Sequence, residues 1–471
     1  MSYKRQEITP EQIRRQREFL AAVAERSAAL PEKPRAMVDT YGCQQNEADS
    51  ERLRGMLLEM GYELTREAGE ADVIVLNTCA VREHAEKRVF GNVGQLTHTK
   101  KAKPGQVIAL CGCMVQQQTV AEKIKNSYRI VDLVFGPQAL WRFPELLFQT
   151  LTGSGRVFAV EQEDGAIAEG LPQNRDDKTR AWLSVMYGCN NFCSYCIVPY
   201  VRGRERSRRP EEILREAEGL VRAGYKDITL LGQNVNSYGK DLDEDVDFSD
   251  IIRRINEIPG DFLIRFMTSH PKDAGEKLFR TMASCEKAAR HIHLPFQAGN
   301  DEILRRMNRH YTKAQYLSLV DMARSYMPEI VITSDIIVGF PGETYEQFQD
   351  TLDVIRTVRF DALFTFLYSK RPGTPAAEMP DDTPKAEKQR RFDELLALQN
   401  SISEEKHRAY VGRTLRALIA AGTEGDKYPL SARTNGGRLI HTLGERNTVG
   451  TFQNVKITGS NTWALIGEIV K

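Results

Sequence analysis

Long apolar runs are absent from this sequence. No stretch approaches the roughly 18 consecutive apolar residues that a helix needs to cross a bilayer. The first residues, MSYKRQEITPEQIRRQREFL, also lack an apolar segment of signal-peptide length. From both absences we expect a cytoplasmic protein.

Cysteine is scarce, at eight of 471 residues. So few cysteines cannot build a disulfide framework for a chain of this length, and in a reducing compartment a group of thiols more often binds metal or takes part in chemistry. Internal repeats and low-complexity tracts are also absent. With 41% hydrophobic and 27% charged residues the composition is typical of a folded chain, and the length favours roughly two to four domains.

Hydrophobic periodicity divides the first part of the chain into three segments. Apolar residues at helical spacing, closed by Pro31 and Pro34, predict a helix within residues 1–33, which we expect to lie outside the first folded domain. Short apolar runs that alternate with helical stretches predict an α/β domain with a parallel sheet over residues 34–153. A polar, Gly-containing stretch predicts a linker over residues 154–174.

The rest of the chain predicts two further domains. Residues 175–405 contain six strand candidates: AWLSVMYG, DITLLG, FLIRFMTS, HIHLPFQ, VITSDIIVGF and ALFTFLYS. Each is separated from the next by enough chain for one or two helices, which predicts a partial (βα)6 TIM-like barrel with its chemistry at the carboxyl ends of the strands. Residues 406–471 contain four short strand candidates divided by Gly and Asn: VGRTLRALIAAG, GRLIHTLG, TVGTFQNVKITGS and WALIGEIV. They predict a small antiparallel β-barrel.

The C-terminal segment is also basic. From Lys406 to Lys471 there are ten Lys and Arg against four Asp and Glu, while the whole chain has a net charge of +1. A basic segment on a neutral body favours an anionic partner. A solvated surface with an excess of Lys and Arg explains the charge equally well.

Three of the eight cysteines, Cys189, Cys193 and Cys196, follow the first barrel strand within the loop YGCNNFCSYCIVPY. A structural zinc site normally uses four ligands, often paired as CxxC or with a nearby His, whereas this loop offers three cysteines and no His. A [4Fe-4S] cluster held by three thiolates keeps one iron without a protein ligand and therefore open to a cofactor or substrate. The loop thus predicts an iron–sulfur cluster at the functional end of the barrel.

A second set of cysteines follows predicted strands of the first domain. Cys43, Cys79 and Cys113 would gather at one edge of a parallel sheet, where open α/β sheets bind ligands, and this arrangement predicts a second three-thiolate cluster. Cys111 lies two residues before Cys113, so both would point to the same side of an extended strand and either could be the ligand. For each of these cysteines, a small buried core residue is the alternative interpretation.

The CxxxCxxC spacing resembles the radical S-adenosylmethionine superfamily, and TYGCQQNEADSE, NTCAVREHAEKR and LCGC resemble the N-terminal domain of its methylthiotransferase family. The resemblance covers the chain from about residue 36 to the end, as cluster domain, radical barrel and TRAM-type β-barrel. It implies two [4Fe-4S] clusters, the second held by Cys113 and not Cys111. The implied ligands are Cys189, Cys193 and Cys196 for the radical cluster and Cys43, Cys79 and Cys113 for the other.

The resemblance also implies a reaction. One S-adenosylmethionine is cleaved to a 5′-deoxyadenosyl radical at the barrel cluster, a second donates a methyl group, and the N-terminal cluster supplies or carries sulfur. Gln233, Asn234 and Gln297 are the implied contacts to S-adenosylmethionine. The motifs are most similar to those of the enzymes that add a methylthio group to C2 of isopentenyladenosine next to the anticodon of tRNA.

Several partners and alternatives belong to this prediction. Anticodon-loop RNA suits the barrel mouth and the basic C-terminal segment, and an electron donor such as flavodoxin or ferredoxin would serve a monomeric enzyme.

The arginines at 202, 204, 206, 208 and 209 either hold RNA phosphates or form a solvated loop. The alternatives are methylthiolation of threonylcarbamoyl-adenosine or of a ribosomal protein, a non-enzymatic iron–sulfur RNA-binding sensor, and a structural zinc protein. His270, His291 and His293 are expected to be structural, and Cys285 a buried thiol.

Overall fold

A computed structural model of the chain describes residues 8–81, 83–153, 155–160, 165–422 and 427–470. The chain divides into two compact units. The first contains the residues up to Asp176 together with segments 186–190 and 196–208, and the second contains segments 177–185 and 191–195 and the residues from Arg209 onward. Within the described ranges, helices that combine the length and the apolar character needed to cross a membrane are absent.

Helices and strands alternate along much of the chain as far as residue 408, and strands predominate after it. The helices are α1 (Pro10–Ala28), α2 (Gln44–Glu59), α3 (Glu83–Ala102), α4 (Gln118–Ser127), α5 (Phe143–Thr152), α6 (Val198–Arg202), α7 (Pro210–Arg222), α8 (Phe248–Glu257), α9 (Glu276–Ser284), α10 (Asp301–Arg306), α11 (Lys313–Tyr326), α12 (Tyr345–Val358) and α13 (Lys385–Arg408). The strands are β1 (Arg35–Tyr41), β2 (Glu63–Leu64), β3 (Val73–Thr78), β4 (Val107–Gly112), β5 (Leu133–Phe135), β6 (Val157–Ala159), β7 (Arg180–Ser184), β8 (Met186–Tyr187), β9 (Arg206–Ser207), β10 (Asp227–Leu231), β11 (Leu263–Phe266), β12 (His291–His293), β13 (Val331–Val338), β14 (Ala362–Leu367), β15 (Thr414–Ala421), β16 (Leu430–Thr434), β17 (Leu439–Leu443), β18 (Phe452–Ser460) and β19 (Leu465–Val470).

The first unit is built on a six-stranded sheet in the order β2-β1-β3-β4-β5-β6, and every neighbouring pair is parallel. The central strands β3 and β4 are buried along their whole length, as parallel strands covered by helices on both faces must be. Alternate residues pack into two separate cores: Val73 and Val75 belong to one, and Ile74 and Leu76 to the other. The predicted parallel α/β domain is confirmed.

Two boundaries of this unit differ from the sequence-based expectation. Helix α1 is present, but it is not outside the first domain, because Val23 is fully buried in the same core as β3 and Phe19 packs against Phe148 with ring centroids 5.5 Å apart. The segment predicted as a linker, 154–174, contributes β6 to the sheet. A three-residue strand is too short to show a period-2 pattern in the sequence. Residues 154 and 161–164 of that segment lie outside the described residues.

The second unit contains the predicted barrel strands. All six candidates form strands, arranged as two parallel three-stranded sheets in the orders β11-β10-β7 and β12-β13-β14. Helices α7 to α13 alternate with these strands along the chain or follow the last of them. The partial (βα)6 architecture is therefore confirmed.

The second unit ends in a closed five-stranded barrel in the order β15-β16-β17-β19-β18. Its core contains Ala417, Ile419, Ile440 and Val455, all fully buried. Strand β16 was not among the predicted strands. The pair β17 with β19 is parallel, whereas the other pairs are antiparallel as predicted. Residues 423–426 and 471 of this predicted domain lie outside the described part of the chain.

Candidate iron–sulfur and cofactor sites

The N-terminal cysteines lie at the carboxyl ends of three neighbouring strands. Cys43 follows β1, Cys79 directly follows β3 and Cys113 directly follows β4. The thiols of Cys43 and Cys79 are hydrogen-bonded to each other, and both interact electrostatically with Cys113. Cys79 and Cys113 are buried, whereas Cys43 is exposed. The fold of the first unit thus brings the three predicted ligands together at one edge of its sheet.

Cys111 faces a different environment from Cys113 because the strand ends between them. Gly112 has φ of +94°, and a Cβ at this position would lie 2.4 Å from Asn77 Oδ1 and from the Thr78 carbonyl oxygen. This left-handed residue interrupts the alternation of an extended strand. Cys111 consequently packs in the apolar core with β3, while Cys113 lies with Ile197 and Val201 outside that core. The sequence argument that both would point to the same side does not hold.

Two of the three thiols at this site, those of Cys79 and Cys113, accept hydrogen bonds from nitrogen. The backbone N–H of Val81 donates to Cys79 Sγ at 3.3 Å, and Arg202 Nε donates to Cys113 Sγ at 3.0 Å. Burial raises the pKa of the Cys113 thiol to about 11, and the Arg202 charge opposes this shift. The hydrogen bond with Cys79 lowers the pKa of the Cys43 thiol. N–H groups that donate to sulfur stabilise the deprotonated thiolate, which is the form that binds iron.

Arg202 is the cation of this site, and sequence analysis did not identify it as such. It ends helix α6, and its Nη2 donates to Asp49 Oδ2 at 2.8 Å; the two side chains are 5% and 6% exposed. Three thiols beside a buried guanidinium fit an anionic iron–sulfur cluster, whose sulfurs accept hydrogen bonds. Among the described residues, no three His, Cys, Asp or Glu side chains are spaced to hold a single metal ion, whereas a cubane places each thiolate on a separate iron.

The second set of cysteines lies on one loop after strand β7. Gly188 and Phe192 in this loop have positive φ angles of 77° and 44°. A Cβ on Gly188 would lie 1.9 Å from the Arg204 carbonyl oxygen, so glycine is required there. Cys189 and Cys193 are 9% and 7% exposed. Left-handed backbone at non-glycine positions is typical of loops whose shape is constrained by function.

A buried arginine also contacts this loop, and sequence analysis missed it. Arg309 is 4% exposed. Its Nη1 donates to Cys193 Sγ at 3.3 Å, its Nη2 to the Pro295 carbonyl oxygen at 2.8 Å, and its Nε to the Tyr311 hydroxyl at 3.1 Å. Arg309 lies in the segment RMNRHYT, and both residues that flank it have positive φ in the structure. Each unit therefore contains a cysteine that accepts a hydrogen bond from a buried guanidinium.

Two predicted cofactor residues carry buried oxygen atoms that have no hydrogen-bond partner within the described part of the chain. Asn234 follows β10, donates from Nδ2 to Asp273 Oδ2 at 2.8 Å, and has an unpartnered Oδ1. Gln297 has φ of +68°, donates its backbone N–H to the Asp335 carbonyl oxygen at 2.9 Å, and has an unpartnered Oε1. Gln233 is half-buried and lies two residues after the end of β10. Buried acceptors without partners are rare in folded proteins, so they favour a polar ligand.

Buried polar atoms without a hydrogen-bond partner among the described residues also follow two strands for which no site residue was predicted. Ser269 Oγ and His270 Nε2 follow β11, and the Tyr368 hydroxyl follows β14. Burial and the charge of Arg309 lower the pKa of His270, which keeps its imidazole neutral. His291 and His293 both contact the Thr333 hydroxyl, whereas no described group hydrogen-bonds to His270 Nε2. The structural role expected for these histidines stays a prediction. Cys285 is 3% exposed, which agrees with a buried thiol.

The arginines after the cysteine loop are largely structural. Arg202, Arg206 and Arg208 are 5%, 6% and 3% exposed. Arg206 Nη2 donates to the Arg202 carbonyl oxygen at 2.9 Å, and Arg208 binds both carboxylate oxygens of Glu169 at 2.8 and 2.6 Å. The hypothesis that the whole run holds RNA phosphates is corrected, because contacts within the first unit bury three of its members. The exposed members are Arg204 and Arg209.

The chain is similar in sequence and in fold to known proteins. Residues 183–355 match the Radical SAM superfamily, and residues 35–136 match uncharacterized protein family UPF0004. The chain is 47% identical over 464 residues, 98% of each protein, to the tRNA-2-methylthio-N(6)-dimethylallyladenosine synthase of Thermoanaerobacter sp. (strain X514). It is 48% identical over 468 residues, again 98% of each, to the protein of that name from Acetivibrio thermocellus. Among solved structures, the radical S-adenosylmethionine methyltransferase TsrM from Kitasatospora setae shares the fold, with a TM-score of 0.53 and 14% identity over 73% of this chain and 75% of that one.

The βα barrel, its cysteine loop and the matched superfamily define a radical S-adenosylmethionine protein. More narrowly, the chain belongs to the family of the tRNA-2-methylthio-N(6)-dimethylallyladenosine synthases, which it matches at 47% identity over nearly its whole length. The resemblance stated from the sequence motifs is confirmed, and the family is one of transferases. Membership in the superfamily implies a [4Fe-4S] cluster and S-adenosylmethionine.

Proposed function

We propose that this chain transfers a methylthio group to C2 of an isopentenylated adenosine next to the anticodon of tRNA. The observation that carries the proposal is the convergence of Cys43, Cys79 and Cys113 at one sheet edge. Radical formation requires only the CxxxCxxC loop, so a second set of three thiols, which follow strands of the six-stranded sheet, supports sulfur transfer. The substrate in this proposal is the one that the relatives' name, tRNA-2-methylthio-N(6)-dimethylallyladenosine synthase, indicates.

In this proposal the chain holds two [4Fe-4S] clusters. When bound, the clusters and S-adenosylmethionine supply the radical and sulfur chemistry that no side chain can perform. Arg202 and Arg309 hold the thiolates of Cys113 and Cys193 by charge-assisted hydrogen bonds. The proposed ligands are Cys43, Cys79 and Cys113 for one cluster and Cys189, Cys193 and Cys196 for the other.

The proposed contacts to S-adenosylmethionine are Gln233, Asn234 and Gln297. The unpartnered oxygens Asn234 Oδ1 and Gln297 Oε1 support this assignment, because they can accept hydrogen bonds from an ammonium group. Gln233 is assigned by its position directly before Asn234. Neutral His270 adds one more ring nitrogen that lacks a partner in this unit.

We assign tRNA binding to the C-terminal barrel of the second unit. Trp463 is 74% exposed, and an exposed aromatic ring can stack on an unpaired base. Exposed basic side chains on the same barrel can hold phosphates; they include Lys427, Arg433 and Lys456. The proposal is completed by an external electron donor such as flavodoxin or ferredoxin and by action as a monomer in the cytoplasm.

The test is anaerobic iron and sulfide content with EPR after reduction, followed by mass spectrometry of tRNA nucleosides. Two triple variants are compared with the wild type, one with alanine at Cys43, Cys79 and Cys113 and one with alanine at Cys189, Cys193 and Cys196. Cys111→Ala and Cys285→Ala serve as matched controls, since both thiols are buried outside the proposed sites. We expect about eight irons in the wild type and about four in each triple variant.

The outcomes separate the parts of the proposal. An EPR signal that responds to S-adenosylmethionine should survive in the Cys43, Cys79 and Cys113 variant and vanish in the other. The wild type should convert isopentenyladenosine in tRNA to its 2-methylthio form. Four irons in the wild type would reject the second cluster, and product only from threonylcarbamoyl-adenosine or from a ribosomal protein would reject the substrate.

A further inference from the structure

Two aromatic side chains of strand β14 are exposed although the strand belongs to the βα barrel. Phe364 and Phe366 are 50% and 52% exposed. They alternate with the half-buried Leu363, Thr365 and Leu367, so both project from the same face of the strand. Exposed aromatic side chains grouped on one face are typical of a binding surface.

The register of the sheet identifies that face. On the neighbouring strand β13, Ser334 interacts with Tyr316 of helix α11, so its side of the strand packs against helices. Asp335 lies opposite Phe364 in the parallel pairing, and therefore on the other side from Ser334. Helices cover the outside of a βα barrel, so Phe364 and Phe366 face its interior.

Polar groups lie beside the two rings on this face. His293 on β12 contacts the Thr333 hydroxyl through Nδ1 at 3.0 Å and Asp335 Oδ2 through Nε2 at 3.3 Å. The His293 ring meets Phe364 edge to face, with centroids 5.6 Å apart and an angle of 75° between the planes. The face therefore combines an open aromatic surface with a fixed group of hydrogen-bonding side chains.

We propose that Phe364 and Phe366 bind the prenylated adenine of the tRNA substrate, with the His293–Asp335 pair beside the polar edge of the base. The inference rests on the proposed function. An enzyme that modifies a base must take it out of the stack, and extruded bases are held by stacking on aromatic rings and by hydrogen bonds to their edges. A prenyl chain adds apolar surface that aromatic rings can cover and that unmodified adenosine lacks.

The experiment measures binding to the iron-loaded, full-length protein. The probes are an anticodon stem-loop RNA with isopentenyladenosine and the same RNA with adenosine at that position. The variants are Phe364→Ala, Phe366→Ala and the conservative Phe364→Leu. Leu58→Ala is the matched control, because Leu58 on helix α2 is 42% exposed and is not on this face. Iron content and the affinity for S-adenosylmethionine are measured for every protein.

We expect each alanine variant to bind the prenylated RNA roughly 5- to 150-fold more weakly, as loss of one stacking contact predicts. Affinity for the unmodified RNA should change less, so the preference for the prenylated RNA should shrink. Phe364→Leu should retain part of that preference, and Leu58→Ala should behave as the wild type. Iron content and S-adenosylmethionine affinity should stay unchanged.

Two results would overturn the inference. One is an unchanged preference for prenylated RNA in both alanine variants. The other is a loss of S-adenosylmethionine affinity with RNA affinity intact, which would assign the face to the adenine of that cofactor. If the wild type itself shows no preference and no methylthiolated product, the proposed function fails, and that result is distinct from either of these.

Discussion

Replacing Arg202 with Gln removes a cation that is buried between two acidic groups. Its Nη2 lies 2.8 Å from Asp49 Oδ2 and its Nε lies 3.0 Å from Cys113 Sγ. The Arg202 and Asp49 side chains are 5% and 6% exposed, so water cannot replace the lost partner. Removal of one member of a buried ion pair destabilises a protein by about 3–5 kcal/mol, because the other charge stays buried and uncompensated. We expect a loss of this size in the free energy of unfolding of the first unit.

The assay is denaturant unfolding of the iron-free protein, followed by tryptophan fluorescence. The chain has three tryptophans, and Trp141 is the one in the first unit. In a background with Trp182→Phe and Trp463→Phe, the signal therefore reports on that unit alone. The unfolding of a multidomain chain is not a single two-state transition, so the free energy is measured from a fluorophore that lies in the first unit alone.

Arg14→Gln is the matched control, because Arg14 also pairs with carboxylates but is 71% exposed. An exposed pair contributes at most about 1 kcal/mol. Adding Asp49→Asn to Arg202→Gln should restore part of the lost stability, since no buried charge then remains unpaired. If Arg202→Gln destabilises the first unit no more than Arg14→Gln does, the buried pair is not the constraint that we infer.

Three further predictions follow from other sites. Arg309→Gln should lower the midpoint potential of the barrel cluster in an EPR redox titration, because the guanidinium charge stabilises the more negative reduced cluster more than the oxidised one. A difference of about 1.4 kcal/mol between the two states corresponds to about 60 mV for one electron, and an unchanged potential would contradict this. Gly112→Ala should destabilise the first unit by about 1–3 kcal/mol because of its φ of +94°. Gly91→Ala in helix α3 should not, since a Cβ there has no described atom within 4 Å. Burial raises the pKa of Glu343 from 4.5 to about 7, so the folded protein holds this proton more tightly than the unfolded chain. The free energy of unfolding of the wild type should therefore fall as the pH rises from about 4.5 to about 7. Glu343→Gln should flatten this part of the pH profile, and an equal slope in both proteins would refute the prediction.

Local patterns in the sequence predicted much of the fold. The runs that became β3 and β4 are apolar throughout, and the cysteines that follow them could be placed at a sheet edge from topology alone. Strand β16 was missed because LSART has only a weak alternation of small and polar residues. Helix α1 was predicted, but its packing through Val23 depends on a distant partner surface that periodicity does not reveal.

The contacts around the thiols could not be predicted in the same way. Arg202 and Arg309 reach cysteines that are 89 and 116 residues away along the chain. Arginine is usually exposed, so its residue type favours a surface position. Only the folded backbone shows that these two guanidinium groups are buried against sulfur, and that Gly112 separates Cys111 from Cys113.

Helix α6 spans the short distance along the chain between Cys196 and Arg202. Arg202 in turn donates to Cys113, so one helical turn connects a cysteine of the barrel loop to the thiol set at the sheet edge. Loss of iron from one of the two proposed centres would therefore change the position of this turn and the surroundings of the other centre. We expect the remaining centre to keep its iron but to change its EPR line shape, so that each centre would sense whether the other is loaded.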